Sequence, residues 1–160
     1  MGKLTGPTPL AAHHKLAEFN SGEVVLDQWL QKHSRIAVSA KSAQVFVVCD
    51  EDRVVGYSAL ATSAILYREL PSSQRSGLAR HPVPTLLLAR LAVDEQYQGQ
   101  GIARVLVRDA VEKAVAIQAI AGVVSLITHA KNQSAEDFYL SQGFTKSPVI
   151  ENLMCLHLNT

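Results

Sequence analysis

The stretch that decides the fold is Thr85-Leu86-Leu87-Leu88-Ala89-Arg90-Leu91-Ala92-Val93, followed directly by Asp94-Glu95-Gln96-Tyr97-Gln98-Gly99-Gln100-Gly101 and then Ile102. The first nine residues are apolar apart from the ends and Arg90, which predicts a buried strand. From Ile102 to about Ala121 the pattern predicts a helix, with Arg104, Arg108, Asp109, Glu112 and Lys113 on one face and Gly122 as its stop. Between them lies a turn with glycines at 99 and 101. A helix that starts there points free N–H groups outward, its dipole adds positive potential, and glycine lets backbone approach an anion with no Cβ in the way. The turn reads as an anion cradle. Glycines also precede helices for geometry alone, so the turn by itself does not name a ligand. No Gly-Lys-Ser/Thr follows, which excludes a nucleotide P-loop, and Arg104 stands where a dinucleotide motif needs its third glycine.

Outward from this centre, Asn20 and Glu23 have capping-box spacing. Leu26, Trp29 and Leu30 follow at helical intervals, predicting a helix from about Gly22 to the mid-30s. Gln44–Cys49 and Arg53–Ala61 flank Asp50-Glu51-Asp52 and predict an antiparallel hairpin. Tyr67–Pro84 carries Pro71, Gly77, Pro82 and Pro84 with Arg68, Arg75 and Arg80, and reads as a long ordered loop. After the long helix come a strand over Val123–Thr128, a short helix capped by Ser134 and ended by Gly143, and closing strands within Val149–Leu158. The order predicts an α/β fold of the mixed α+β kind: one mixed sheet with helices on its faces, in a single domain spanning 1–160.

Composition narrows the function. Hydrophobic residues make up 48% and charged residues 18% of 160, the balance of a compact globular chain. The formal charge of +1 gives no global attraction for nucleic acid, so a polyanion would need a local basic patch. Cys49 and Cys155 sit in apolar runs without metal-ligand spacing. They read as buried reduced thiols, with no metal expected and a cytoplasmic location. The amino-terminal residues have no apolar core of a signal peptide, and no apolar run reaches membrane-spanning length. Ala12-His13-His14-Lys15 reads as solvated surface.

Two motifs carry a family resemblance. Gln96-x-x-Gly99-x-Gly101 after Leu91-Ala92-Val93-Asp94 resembles the acetyl-CoA motif of the GNAT superfamily of N-acetyltransferases. Asn132, Ala135, Phe138, Tyr139, Gly143 and Phe144 match its second signature. The resemblance implies the GNAT fold, a mostly antiparallel sheet splayed at the acetyl-CoA site and flanked by helices. It implies that the backbone of Leu91, Ala92 and Val93 pairs with the pantetheine arm. Gln98, Gly99, Gln100, Gly101, Ile102 and Ala103 would hold the pyrophosphate, Asn132, Ala135 and Phe138 would line the cofactor channel, and Tyr139 would sit near the sulfur. Phe19-Asn20-Ser21-Gly22, Leu26-Asp27-Gln28-Trp29-Leu30, Val47-Val48-Cys49-Asp50, Val55-Gly56-Tyr57 and Ala89-Arg90 resemble the TacT/AtaT-type toxins, with Ala89 departing from an expected glycine. These acetylate the amino acid on aminoacyl-tRNA, blocking translation. The resemblance therefore implies a toxin–antitoxin system with a ribbon-helix-helix antitoxin, a homodimer, and contact with operator DNA only through the antitoxin.

The chemistry agrees with that resemblance. An amine attacking a thioester requires a proton for the leaving sulfur, and a phenol with pKa ~10 remains protonated at neutral pH, so Tyr139 is the expected catalytic acid. The strand 85–93 has no carboxylate to serve as base. A lysine amine at ~10.4 needs more help losing its proton than an α-amine at ~7.7–8.0, which favours an α-amino substrate. Arg90, a lone charge in an apolar strand, is expected at the acceptor mouth, with Arg75, Arg80, Lys32 and Arg35 forming a tRNA patch. Two alternatives remain: an acetyltransferase of small-molecule amines, which would want an acidic cleft, and a non-catalytic acyl-CoA-binding module, which would not need Tyr139.

Overall fold

The computed structural model describes residues 3–158. Its strands are β1 (Leu4–Pro9), β2 (Gln44–Asp50), β3 (Arg53–Ile65), β4 (Val83–Val93), β5 (Ser125–His129), β6 (Thr145–Lys146) and β7 (Leu153–His157). The helices are α1 (Val24–Gln28), α2 (Ser34–Ala40), α3 (Ile102–Gln118) and α4 (Gln133–Ser141). The strands form one seven-stranded sheet in the order β1-β2-β3-β4-β5-β7-β6. β1/β2, β2/β3, β5/β7 and β6/β7 are antiparallel, and β4/β5 is parallel. The mixed, mostly antiparallel sheet expected from the sequence is present. Register between β4 and β5 covers only Thr85–Leu87 against Ser125–Ile127, although β4 runs on to Val93.

The chain divides into two compact units, one of residues 1–61 with 89–109, the other of 62–88 with 110–160. In the first, Leu16, Phe19, Leu30, Val45, Val47, Cys49, Val54, Tyr57, Ala59 and Ala92 make one core, and Val48, Val55, Ile102 and Leu106 make another. A β-bulge connects the two. The β2/β3 register slips between Val48 and Cys49, with Val48 opposite Gly56 and Cys49 opposite Val54. The extra residue, Val55, turns to the second core, so Val54 and Tyr57 share the first although three residues apart. In the second unit Ile65, Leu70, Val83, Ile127, Leu153 and Cys155 form the core.

Several boundaries differ from the sequence reading. β1 lies in the residues read as an irregular lead. The first helical stretch extends to Ala40 and is interrupted by a π-turn over Trp29–His33. Its N-cap is Glu23 without a side-chain cap bond, while Asn20 Oδ1 accepts instead from the Gly22 N–H, so the Asn20/Glu23 capping box does not form. β3 runs four residues past Ala61, and Pro84 is the second residue of β4, where its lack of an N–H is tolerated. α3 stops at Gln118, whose side-chain amide donates to the Val123 carbonyl at 2.7 Å, so the helix ends before Gly122. Asn132, not Ser134, caps α4: its Oδ1 accepts from the Ala135 N–H at 2.9 Å. His14 is only partly solvated, since its Nδ1 accepts from the Ala11 N–H at 2.9 Å.

The loop after β3 is ordered, as expected. It contains short 3-10 turns at Tyr67–Glu69 and Ser72–Gln74. The Ser147 hydroxyl donates to the Glu69 carbonyl at 2.5 Å, and Gln74 Nε2 donates to the Cys155 carbonyl at 3.4 Å.

Burial acts on three acidic groups of the cores. It pushes the Cys49 thiol up to about 11 and the Cys155 thiol up to about 12, and it raises the Tyr57 phenol, with Arg90 opposing. A raised folded pKa means that the unfolded chain loses its proton first. The stability from these neutral groups is therefore complete below the unfolded thiol value of 9.0 and is lost as pH rises through about 11 and 12. Urea unfolding between pH 8 and 12 should show a steady fall in stability above about pH 9. The Cys49→Ala, Cys155→Ala double variant should be less stable at pH 8 and fall less steeply.

Candidate functional site

Within the first unit, the glycine turn is fastened by Asp94, which is 1% exposed. Its Oδ2 accepts from the Asn20 N–H at 3.1 Å and from Arg53 Nη2 at 3.3 Å, and its Oδ1 accepts from the Gln96 N–H at 3.0 Å. Its own N–H donates to the bulge carbonyl of Val55 at 2.8 Å. The Tyr97 hydroxyl donates to Asp50 Oδ2 at 2.7 Å, and Gln98 Nε2 donates to the carbonyls of Val93 and Ser21 at 2.9 and 3.2 Å. β3, the end of β4 and the loop at 19–22 thus hold one turn.

Gly99 and Gly101 adopt φ of 81° and 85°, which an L side chain resists. A Cβ on Gly99 would meet nothing within 4 Å, and one on Gly101 would come to 3.7 Å from the Arg104 guanidinium. The turn is open above its backbone, with a cation beside it. Val105 is the first α3 residue whose N–H bonds back, to the Gly101 carbonyl at 3.1 Å. The helical amides before it, at Ile102, Ala103 and Arg104, have no partner one turn back in the helix. This arrangement suits a phosphate group. Gln98 contributes through its side chain as a staple, a role the sequence reading did not give it.

In the second unit, Tyr139 of α4 is 6% exposed. The Phe138 and Phe144 rings stand edge-on to it at 5.3 Å each. Burial raises its phenol above the ordinary range, and a hydrogen bond with the Thr128 hydroxyl opposes that rise in part. The Thr128 hydroxyl itself donates to the Leu88 carbonyl at 2.8 Å. Tyr139 is therefore neutral and proton-bearing across the physiological range. Asn132 is exposed and committed through Oδ1 to its cap, while Ala135 and Phe138 are half-buried.

The basic residues separate into two kinds. Arg35 donates to the carbonyls of Ala11 and His14 at 2.9 and 2.8 Å, and Arg75 donates to those of Leu70 and Arg68 at 2.9 and 3.0 Å. Both guanidinium groups fasten loops. Arg90 lies over the Trp29 ring at 4.7 Å and Arg80 over the Tyr67 ring at 5.9 Å, while Lys32 is exposed. Trp29 in turn stacks on Tyr57 at 6.1 Å, so a three-layer stack carries Arg90. The sequence reading did not find the Trp29 and Tyr67 platforms. An aromatic half-buried beside a basic residue is the signal, but the pairing is remote in sequence.

Comparison with known proteins gives a consistent picture. Residues 41–146 match the family model for the acetyltransferase (GNAT) domain. The chain is 33% identical over 148 residues to a tRNA-acetylating toxin of Mycobacterium tuberculosis, covering 92% of this chain and 89% of that one. It is similar to the structure of AtaT complexed with acetyl-methionyl-tRNAfMet, with a TM-score of 0.90, 30% identity and coverage of 97% and 95% of the two chains. It is also similar to a tyrosine-to-phenylalanine mutant of AtaT bound to the C-terminus of the antitoxin AtaR and acetyl-CoA, with a TM-score of 0.81, 27% identity and coverage of 98% and 94%.

Close packing at Gly56 sets the start of α3, because a Cβ there would lie 2.7 Å from Ile102 Cγ2 and 3.4 Å from Leu106 Cδ1. Gly56→Val should lower stability by about 1–3 kcal/mol through overpacking. The midpoint of urea unfolding measures it, with an unchanged slope showing that the unfolded state is not the cause.

Proposed function

The chain belongs to the GNAT acetyltransferase family, and on that footing we propose that it is a toxin that acetylates the α-amino group of the amino acid on charged tRNA, blocking translation. The observation that carries the substrate is its likeness, over 97% of its length, to a toxin structure that holds acetyl-methionyl-tRNAfMet. The family model spans parts of both compact units, which supports reading 1–160 as one acetyltransferase domain.

Acetyl-CoA, when bound, supplies an acetyl group activated as a thioester. Gln98, Gly99, Gln100, Gly101, Ile102 and Ala103 are proposed to hold its pyrophosphate, since their turn is open and carries helix-start amides. Leu91, Ala92 and Val93 offer strand backbone to the pantetheine arm, and Asn132, Ala135 and Phe138 line the channel. Tyr139 holds a proton on Oη for the leaving sulfur. Its burial supports that role, because a phenol kept neutral arrives at the reaction with its proton. An α-amine needs no strong base, in keeping with the lack of a carboxylate along 85–93.

Lys32, Arg80 and Arg90 are proposed as the tRNA contacts. Arg35 and Arg75 are assigned a supporting role, since their donors are already engaged with backbone. A ribbon-helix-helix antitoxin is the proposed partner, supported by the relative solved with the C-terminus of its antitoxin, and operator DNA is met through that partner alone. A cytoplasmic homodimer completes the proposal. Two buried free thiols support the location, and among the described residues no helix is long and apolar enough to cross a membrane.

Two experiments test this reading. Tyr139→Phe should fold and bind acetyl-CoA as the parent does, yet lose at least ~100-fold in acetyl transfer to charged tRNA, within the range for a lost general acid. Gly101→Glu should lose acetyl-CoA binding in calorimetric titration. Unimpaired turnover in the first, or an unchanged dissociation constant in the second, would falsify the corresponding role.

Reversing charge at Lys32, Arg80 and Arg90 together should weaken tRNA binding and make its dependence on salt shallower by up to about three phosphate contacts, with acetyl-CoA affinity retained. Filter binding from low to moderate salt reads both quantities.

A further inference from the structure

Thr128 lies in β5, 3% exposed, in a strand whose other side chains pack as apolar core. A buried hydroxyl must be partnered, and this one is partnered twice: it donates to the Leu88 carbonyl at 2.8 Å and shares a hydrogen bond with the Tyr139 phenol. With its only proton on Leu88, Thr128 Oγ1 accepts from the phenol. The Tyr139 ring is fixed on its other sides by Phe138 and Phe144. Two freedoms remain, rotation of the phenol proton and rotation of the threonine hydroxyl.

We propose that Thr128 is a positioning residue for acetyl transfer: its hydroxyl holds the Tyr139 oxygen in place and then turns from the Leu88 carbonyl to donate to that oxygen as the phenol gives up its proton. The step balances. The Tyr139 O–H bond breaks, the proton forms an S–H bond with the leaving thiolate, and the charge left on the phenolate oxygen is met by the Thr128 O–H. The proton released by the attacking amine restores the phenol, after which Thr128 returns to Leu88. Serine, threonine and water share this ability, but β-branching lets threonine stay in one rotamer while the hydroxyl proton turns.

The proposal rests on Tyr139 being the acid. The charged groups nearest Tyr139 in α4 and β6 are otherwise engaged: Glu136 pairs with Lys146 Nζ at 2.9 Å, and Asp137 accepts from Gln133 Nε2 at 2.9 Å. Burial and Thr128 are the two influences on the phenol.

The test uses the full-length protein with Thr128→Val, Thr128→Ser and Tyr139→Phe, alone and with Tyr139→Phe combined with Thr128→Val. The first readout needs no substrate. With 3-fluorotyrosine incorporated so that phenols titrate at lower pH, the fluorine resonance assigned to residue 139 should titrate at higher pH in Thr128→Val than in the parent, and at the parental pH in Thr128→Ser. The second readout is kinetic. Thr128→Val should lower kcat on the order of 10- to 100-fold, as expected for a hydrogen bond to a charged oxygen, with KM for acetyl-CoA unchanged. Thr128→Ser should restore it, and Thr128→Val should cost nothing further in the Tyr139→Phe background. Should the valine variant fail to fold, Thr128→Cys, similar in size but a weak donor, takes its place. A parental titration and kcat in the valine or cysteine variant would overturn the proposal while leaving Tyr139 as the acid. Full activity of Tyr139→Phe would overturn the assignment of Tyr139 itself.

Discussion

The glycine turn depends on one buried carboxylate. Asp94 sits almost wholly out of water, where an unpaired charge would be costly, so its oxygens must be satisfied by the protein. The chain meets that demand with backbone amides from two directions and with Arg53. Each donor comes from a different part of the sequence, and satisfying the charge draws the loop at 19–22, the start of β3 and the turn together. Rigidity of the turn follows from electrostatic necessity more than from apolar packing.

The bulge at Val55 serves the same arrangement from the strand side. By shifting the register it turns Val55 into the core shared with Ile102 and Leu106, and it frees the Val55 carbonyl for the Asp94 N–H. A regular strand would alternate through this position and would send Tyr57 to the other face. Tyr57 instead supports Trp29, and Trp29 supports Arg90. The same irregularity that anchors the glycine turn thus holds a cation in place in the same unit.

Much of this was legible in the sequence, for identifiable reasons. β4, the glycine turn and α3 are local patterns, in which an apolar run, two glycines and a 3.6-residue period follow one another. Tyr139 stood out by its spacing from Asn132 and Phe144 in a family signature. What stayed hidden depends on contacts remote in sequence. The cap of α4 fell to Asn132 because the strand-like backbone there aims its side chain at the Ala135 amide, a geometry that Ser134 has already passed. β1 was missed because Gly6, Pro7 and Pro9 read as breakers, whereas an edge strand tolerates them. Arg35 and Arg75 counted as free charge until carbonyl acceptors claimed them. A tally of basic residues overstates the field available to a polyanion whenever the backbone is a competing acceptor.

The π-turn at Trp29–His33 has a consequence for how this segment tolerates length change. A π-turn holds one residue more than the α-helical ladder around it, so losing a single residue there would restore an unbroken helix. Everything beyond would then rotate by about 100°, the angle between successive residues of an α-helix. Ser34 would leave its buried place, and Arg35 would swing away from the Ala11 and His14 carbonyls that it now joins. Trp29, lying before the change, would stay over Tyr57. Insertions and deletions in this segment therefore divide sharply: those before Trp29 disturb the aromatic stack, and those after it cut the amino-terminal arm loose while leaving the stack intact.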